Sequence, residues 1–417
     1  MSFELISNGK SNGVKKIIYL DNNATTHEHP FVVESMIDYL KYSNSFGNAS
    51  SSHLCGLKSK NLIEESRESI RSCINAKHAN EILFTSGGTE SNNLAIQGIL
   101  RPNLLNQEIQ HIITTPFEHP SVLNTFKALQ KSNENLMKIS FVKIRSNGIV
   151  DLDDLRELIR PETRFVSIMH SNNEIGSIQP IEEIVRIVRQ CQSNDICIHT
   201  DASQSIGKTF VDVQQLGVDL LTICSHKFHG PKGIGALYIR QGIQLEPILF
   251  GANHESGRRP GTENLLAILG LAKASQLISD KNQLKQRIQQ MKSTRDKLYQ
   301  GLIQQFSSFD KDFIRINGDL THCLPNTLSL SLKSIDAKQL VQQLKHHLAF
   351  STGSACHENS KQQIISTTLQ TIGLSDELAQ GTIRLSTSSM TTEQEIDEAI
   401  LLLRNAILQQ LLLSQHN

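Results

Sequence analysis

Short runs of β-branched and large aliphatic residues recur along the first 240 positions, each ending in polar or glycine-rich sequence. They are Ile82-Leu83-Phe84, Ile112-Ile113-Thr114, Phe141-Val142, Phe165-Val166-Ser167-Ile168, Ile196-Cys197-Ile198, and the stretches 220–224 and 236–239. Apolar runs of this length between turn residues predict strands. Helical spacing separates most of them, as at 153–159 and 181–188. Strands alternating with helices predict an α/β protein, with a largely parallel sheet covered on both faces. After about residue 275 the texture changes. Leu284, Ile288, Met291, Leu298 and Leu302 keep helical spacing through a Gln/Lys-rich stretch, which predicts one long amphipathic helix with a solvated polar face. A smaller α+β unit is expected to follow, to the end of the chain.

Composition narrows the function classes. Lys and Arg number 41 against 41 Asp and Glu, so no global charge draws the chain toward nucleic acid or an anionic membrane. No apolar run approaches the roughly 18 residues of a membrane helix. The opening MSFELISNGKSNGVKK lacks the apolar centre of a signal peptide and is too acidic and Arg-poor for a transit peptide. Seven cysteines, at 55, 73, 191, 197, 224, 323 and 356, show no CxxC spacing. Neither a zinc ribbon nor a disulfide framework is indicated, and a reducing, cytoplasmic setting is expected.

Candidate chemistry stands at the predicted strand ends, where open parallel sheets bind ligands. EILFTSGGTESNNLAI passes from strand through Ser86-Gly87-Gly88-Thr89 into a helix. Glycines allow close approach and a helix N-terminus suits a phosphate, although the segment is neither a Walker loop nor G-x-G-x-x-G. Asp201 follows the strand at 196–200, where it either caps the next helix or holds a buried cationic nitrogen. His199 and Asp201 lack a third ligand nearby, so no metal is expected. Lys227 sits between His226 and His229-Gly230, just past the strand at 220–224. A phosphate turn, an acid and a lysine at successive strand ends are what pyridoxal 5'-phosphate needs: a lysine for the Schiff base, a carboxylate for the pyridine nitrogen, and a turn for the phosphate.

Eight ordered segments then resemble the NifS/IscS-like cysteine desulfurases of the class V aminotransferase group, fold-type I pyridoxal-phosphate enzymes. They are YLDNNATT (19–26), FTSGGTESNNLAI (84–96), SIMHSNNEIG (167–176), HTDASQSIGK (199–208), CSHKFHGPKGIGALYIR (224–240), RRPGTEN (258–264), STGSAC (351–356) and IRLS (383–386). The match runs from about residue 17 to 405. It implies a large cofactor-binding domain at 17–275, with a mostly parallel sheet between helices. A small C-terminal domain at 276–417 would carry the reactive cysteine and a substrate-binding arginine, and residues 1–30 would pack with it.

Residue by residue, the resemblance implies that Lys227 is the Schiff-base lysine and proton shuttle. Asp201 would pair with the pyridine nitrogen, His119 would stack on the ring, and Asn173 and Gln204 would bind its phenolic oxygen. Gly88, Thr89, Ser225 and His226 would hold the phosphate, with Thr262 reaching it from a second subunit of a homodimer. Arg384 would bind the substrate α-carboxylate. Cys356, in the polar stretch Ser351 to Lys361, would be the nucleophile. The implied reaction converts L-cysteine to L-alanine, holds the sulfur as a persulfide on Cys356 and passes it to an acceptor protein, as in iron–sulfur cluster assembly.

Departures mark where this chain differs. Ser388-Ser389 replaces the family's Gly-Arg, and His27 replaces the proline of ATTP. Ala355-Cys356-His357 and Leu324-Pro325-Asn326-Thr327 look closer to selenocysteine lyases, which would release selenium and alanine from L-selenocysteine. That lyase is the alternative activity. A non-catalytic scaffold is a third reading, disfavoured by the presence of Lys227, Asp201, Arg384 and Cys356 together, and an aminotransferase would leave Cys356 unexplained.

Overall fold

The computed structural model describes residues 17–191, 196–353 and 365–414. Among the described residues, thirteen strands fall into three sheets. The first, β1 (Ile18–Tyr19), belongs with the C-terminal part of the chain. The central sheet contains β2 (Ile82–Thr85), β3 (Gln110–Thr114), β4 (Met137–Phe141), β5 (Thr163–Ser167), β6 (Cys197–Asp201), β7 (Leu220–Cys224) and β8 (Gly235–Ile239). Its order is β2-β8-β7-β6-β5-β3-β4. Only β8 runs against the others, pairing antiparallel with both β7 and β2.

The apolar runs are continuous because both faces of this sheet are covered. Alternate residues divide between two cores, as the strand period requires. Phe84, Ile113, Val166, Ile198 and Leu221 face one core, built with helices that include α1 (Pro30–Tyr42) and α2 (Leu54–Cys73). Leu83, Ile112, Phe165, Cys197 and Leu220 face the other, under α3 (Gly88–Leu105) and α4 (Pro120–Ser132). The expected strand at Phe141-Val142 is displaced: it runs over Met137–Phe141, and Val142 lies just beyond it, its N–H donating to the Thr114 carbonyl at 2.9 Å.

The remaining strands are β9 (Ile314–Ile316), β10 (Thr327–Leu332), β11 (Leu348–Ala349), β12 (Ser351–Thr352) and β13 (Thr382–Ser386). Four form an antiparallel sheet, β12-β13-β10-β9, while β1 pairs in parallel with β11. Ile18 and Leu20 join a core otherwise drawn from positions 298–407. The expected long helix spans Lys281–Gln305. Asp280 begins it, Oδ1 accepting the N–H groups of Asn282 and Gln283 at 2.8 and 2.9 Å. Leu284 reaches the central-sheet core, whereas Leu298 and Leu302 reach the C-terminal core, so this helix ties the two together.

Between β1 and α1 the loop 20–29 crosses from one core to the other. Asn22 Nδ2 donates to the Ser386 carbonyl at 2.7 Å, and Thr26 Oγ1 donates to the His226 carbonyl at 3.0 Å. This crossing brings β13 against the carboxyl ends of the central strands.

Candidate active site

A cleft of about 660 Å³ opens at the carboxyl edge of the central sheet. Gly88, Thr89, His119, Asp201 and Lys227 line it, each just past the end of a strand or at its last residue. Asn173, Gln204, His226 and Arg384 complete the expected residues that the fold gathers there. Ser225 is wholly buried and does not line the cleft; its hydroxyl has no partner and occupies the space a Cβ on Gly230 would take. Thr262 is exposed and lies away from the lining. Cys356 falls outside the described residues.

Asp201 ends β6 with both oxygens engaged: Oδ2 accepts Asn92 Nδ2 at 2.7 Å and Oδ1 accepts the Ser203 N–H at 2.9 Å. Asn92 Oδ1 in turn accepts the Thr222 hydroxyl at 2.7 Å. His119 begins α4, and the Ser121 N–H points at its Nδ1 at 3.1 Å. That donor leaves the ring proton on Nε2. Burial is the main reason its pKa is lowered, with Lys227 acting the same way, so the ring is neutral at pH 7.

Lys227 lies in the short turn that follows β7. Its Nζ donates to the backbone carbonyls of Asn23 and Ala24, both at 2.7 Å. Burial pushes its pKa down, and Arg384 adds to this against the opposing influence of Cys224, Asp201 and Asp21. The amine is thus easier to deprotonate than a surface lysine. Arg384, on β13, donates from Nη1 to the Asn173 carbonyl at 2.9 Å and from Nη2 to Asp21 at 2.7 Å and Ser351 at 3.0 Å. Its buried Nε has no hydrogen-bond partner.

The glycine turn makes a cradle at the mouth of α3. Gly87 has φ 153°, a conformation that favours glycine, and a Cβ there would meet nothing within 4 Å. It caps α3 without a side-chain bond, so first-turn N–H groups remain for an anion. A cradle for a phosphate after β2, a carboxylate at the end of β6 and a buried amine after β7 suit pyridoxal phosphate. Among the described residues no group of three or more His, Cys, Asp or Glu side chains could hold a metal ion.

Several participants were not singled out from sequence: Asp21, Asn23, Asn92, Ser121 and Glu118. Asn92 had a signal, four residues into the helix after the glycine turn, on the face that meets the sheet. Glu118 lies buried beside His119. Its Oε1 accepts the Thr115 hydroxyl at 2.7 Å and the Met169 N–H at 2.8 Å, while Oε2 has no partner. Burial pushes its carboxyl up from 4.5 to about 8, with Asp201 adding to it and those two hydrogen bonds opposing. Between those values the folded state keeps a proton that the unfolded state releases, so this group's contribution to stability falls as pH rises. Glu118→Gln has no such proton. Its melting temperature is expected to gain on the wild type as pH rises from about 5 to about 8; a constant gap would contradict the protonated carboxyl.

Comparison with known proteins places this geometry among relatives. The sequence model of the family described as aminotransferase class-V matches residues 18–399. The chain is 40% identical over 397 residues to a protein named cysteine desulfurase IscS from Vibrio cholerae, covering 94% of this chain and 93% of that one. A solved structure named NIFS-like protein superposes with a TM-score of 0.84 at 34% identity, over 94% of this chain and 99% of its own. Another, described as SspA in complex with cysteine, gives 0.73 at 31% identity, over 90% and 99%.

Proposed function

We propose that this chain, which belongs to the aminotransferase class-V family, is a pyridoxal-phosphate-dependent cysteine desulfurase that converts L-cysteine to L-alanine and transfers the sulfur through a persulfide. The observation that carries the reading is the meeting of Lys227, Asp201 and the Gly87-Gly88 cradle in one cleft with Arg384. Similarity to proteins named cysteine desulfurase favours this activity over a selenocysteine lyase or a scaffold.

Bound pyridoxal phosphate supplies an electron sink that labilises bonds at the substrate's α- and β-carbons. The α3 N-terminus, with Gly88 and Thr89, would hold its phosphate, Asp201 would hold the pyridine nitrogen, and neutral His119 would cover the ring face. Lys227 Nζ would be the amine that holds the cofactor's aldehyde carbon and, when free, would take the Cα proton. Its carbonyl partners on Asn23 and Ala24 would give the free amine a resting place within the cleft. Arg384 receives the substrate carboxylate, its Nε being the donor without a partner. The Cys356 thiolate attacks the substrate sulfur, so one C–S bond is exchanged for one S–S bond and the protein thiol's proton is left for the alanine.

A second copy of the chain would supply Thr262 to the phosphate. Phe46 and Phe250 are 80% and 82% exposed, and Phe250 lies on the same segment as Thr262, as a buried face between copies would require. The lack of CxxC spacing among the cysteines is consistent with work in a reducing cytoplasm.

Two measurements test the reading. Purified protein is expected to form alanine from L-cysteine under reducing conditions; turnover of L-selenocysteine alone, run in parallel, would make it a lyase instead. Arg384→Ala is expected to raise KM for L-cysteine roughly 10- to 100-fold, the worth of a charge-assisted hydrogen bond or two. A KM left unchanged would remove Arg384 from the substrate's carboxylate.

A further inference from the structure

Lys208 is a buried amine that the chemistry above leaves unused. It is only 4% exposed and makes no ion pair among the described residues. The charged or titratable groups acting on it are Lys227, Arg384 and Cys224; His229 and Arg287 line a small cavity on which it also borders. A buried ammonium without a counter-ion is costly. Burial, reinforced by Lys227 and Arg384, pushes its pKa well down.

Its hydrogen bonds account for its position. Nζ donates to Gln204 Oε1 at 2.8 Å and to Asn23 Oδ1 at 3.2 Å. From the other edge of the same amide, Gln204 Nε2 donates to the Asn23 backbone carbonyl at 2.9 Å. That carbonyl also receives Lys227 Nζ at 2.7 Å. A backbone carbonyl only accepts, so the Gln204 amide has one orientation: oxygen toward Lys208, nitrogen toward Asn23. One Nε2 proton remains, and Gln204 lines the cleft. Asn23 is held just as fully, Oδ1 receiving Asn326 Nδ2 at 3.0 Å and Nδ2 donating to Thr327 Oγ1 at 2.8 Å. Lys208 therefore stands behind both the amide that faces the cleft and the residue on which Lys227 rests.

We propose that Lys208 is a positioning residue, which holds the Gln204 amide with its N–H edge turned toward the ring oxygen of bound pyridoxal phosphate. This rests on the cofactor reading given above. Without Lys208, Gln204 Oε1 loses its donor and only the Asn23 carbonyl still holds the amide, so its N–H edge is kept less firmly toward an anionic oxygen. That oxygen depends most on outside donors when the Schiff-base nitrogen of Lys227 carries no proton. Losing the donor makes that proton harder to remove, and the midpoint of the visible-band titration rises.

The experiment is a pH titration of visible absorbance in the cofactor-loaded protein and its Lys208→Met variant, a substitution close in shape. The midpoint is expected to rise by about one pH unit, the scale of a hydrogen bond to a charged group. In a Gln204→Leu background the same substitution is expected to add nothing, because the route runs through that amide. An unmoved midpoint, or a rise that persists in the Gln204→Leu background, overturns the proposal. If Lys208→Met does not fold, Gln204→Leu alone decides, since an unmoved midpoint there removes the route. A wild-type protein that takes up pyridoxal phosphate without any visible band would overturn the cofactor reading itself, a failure distinct from either of these.

Discussion

Lys227→Ala is expected to purify without the visible absorbance of a Schiff base and to lose alanine formation by on the order of 10⁴-fold or more. Both roles proposed for Lys227 end on one atom. Nζ lies in the turn just past β7, held at 2.7 Å from the Asn23 and Ala24 carbonyls, partners that would receive it again after each proposed proton transfer. Burial has already made it easier to deprotonate. Lys208, though also buried nearby, cannot take its place, because its Nζ is committed to Gln204 and Asn23. Lys227→Arg sharpens the result: it restores a cation of similar reach but not a nucleophilic amine, and it is expected to be as inactive as the alanine variant. Phosphate binding should outlast the loss, because the α3 cradle is untouched; pyridoxal phosphate is expected to bind reversibly and wash out on dialysis. A visible band that survives Lys227→Ala would mean that another amine carries the cofactor.

The central sheet was legible because its strands are buried on both faces, so the short apolar runs Phe165-Val166, Ile196-Cys197-Ile198 and Leu220-Leu221 mark β5, β6 and β7 ahead of the polar chemistry at their ends. The edge strand β4 was the exception. Lys138 and Phe141 are exposed on it and Ile139 only half-buried, so its pattern blurs and its start was missed. Within the site, residues legible from sequence sit at strand ends, where position alone suggests a role. Asp21 and Asn23 were not legible in this way. Asp21 meets Arg384 at 2.7 Å across 363 positions, and Asn23 meets Thr327 across 304. Such partners exist only once the loop 20–29 has crossed between the cores. Ser225 shows the converse. Its place in the motif gives it an expected phosphate-binding role, while its hydroxyl lies toward Gly230, an orientation that follows from the direction of the turn after β7, which motif spacing does not encode. The Gly-to-Cβ clash makes the point testable in principle by any larger residue at position 230.

Cys356→Ala is expected to keep the visible band and its change on adding L-cysteine, yet to form no protein persulfide and to lose desulfuration by on the order of 10³-fold or more. The chain reaches Cys356 through β12, where Ser351 pairs with Arg384 and its hydroxyl receives Nη2 at 3.0 Å. The strand that leads to the cysteine is thus registered against the arginine assigned to the substrate carboxylate. Gly353 closes the described part of that approach, its N–H donating to the Thr382 carbonyl at 2.8 Å. The competing thiol is Cys224, which lines the cleft. Burial raises its pKa, and Cys73 and Cys323 are pushed up to about 12, so none of these offers a ready thiolate at neutral pH. Cys224→Ala is therefore expected to retain sulfur transfer. Intact-protein mass after one turnover with L-cysteine separates the two: the wild type and Cys224→Ala gain one sulfur atom, and Cys356→Ala gains none. A sulfur atom still captured without Cys356 would move the nucleophile to another residue. Release of selenium from L-selenocysteine can survive the same substitution, because selenium leaves carbon more readily than sulfur and depends less on a thiolate to accept it.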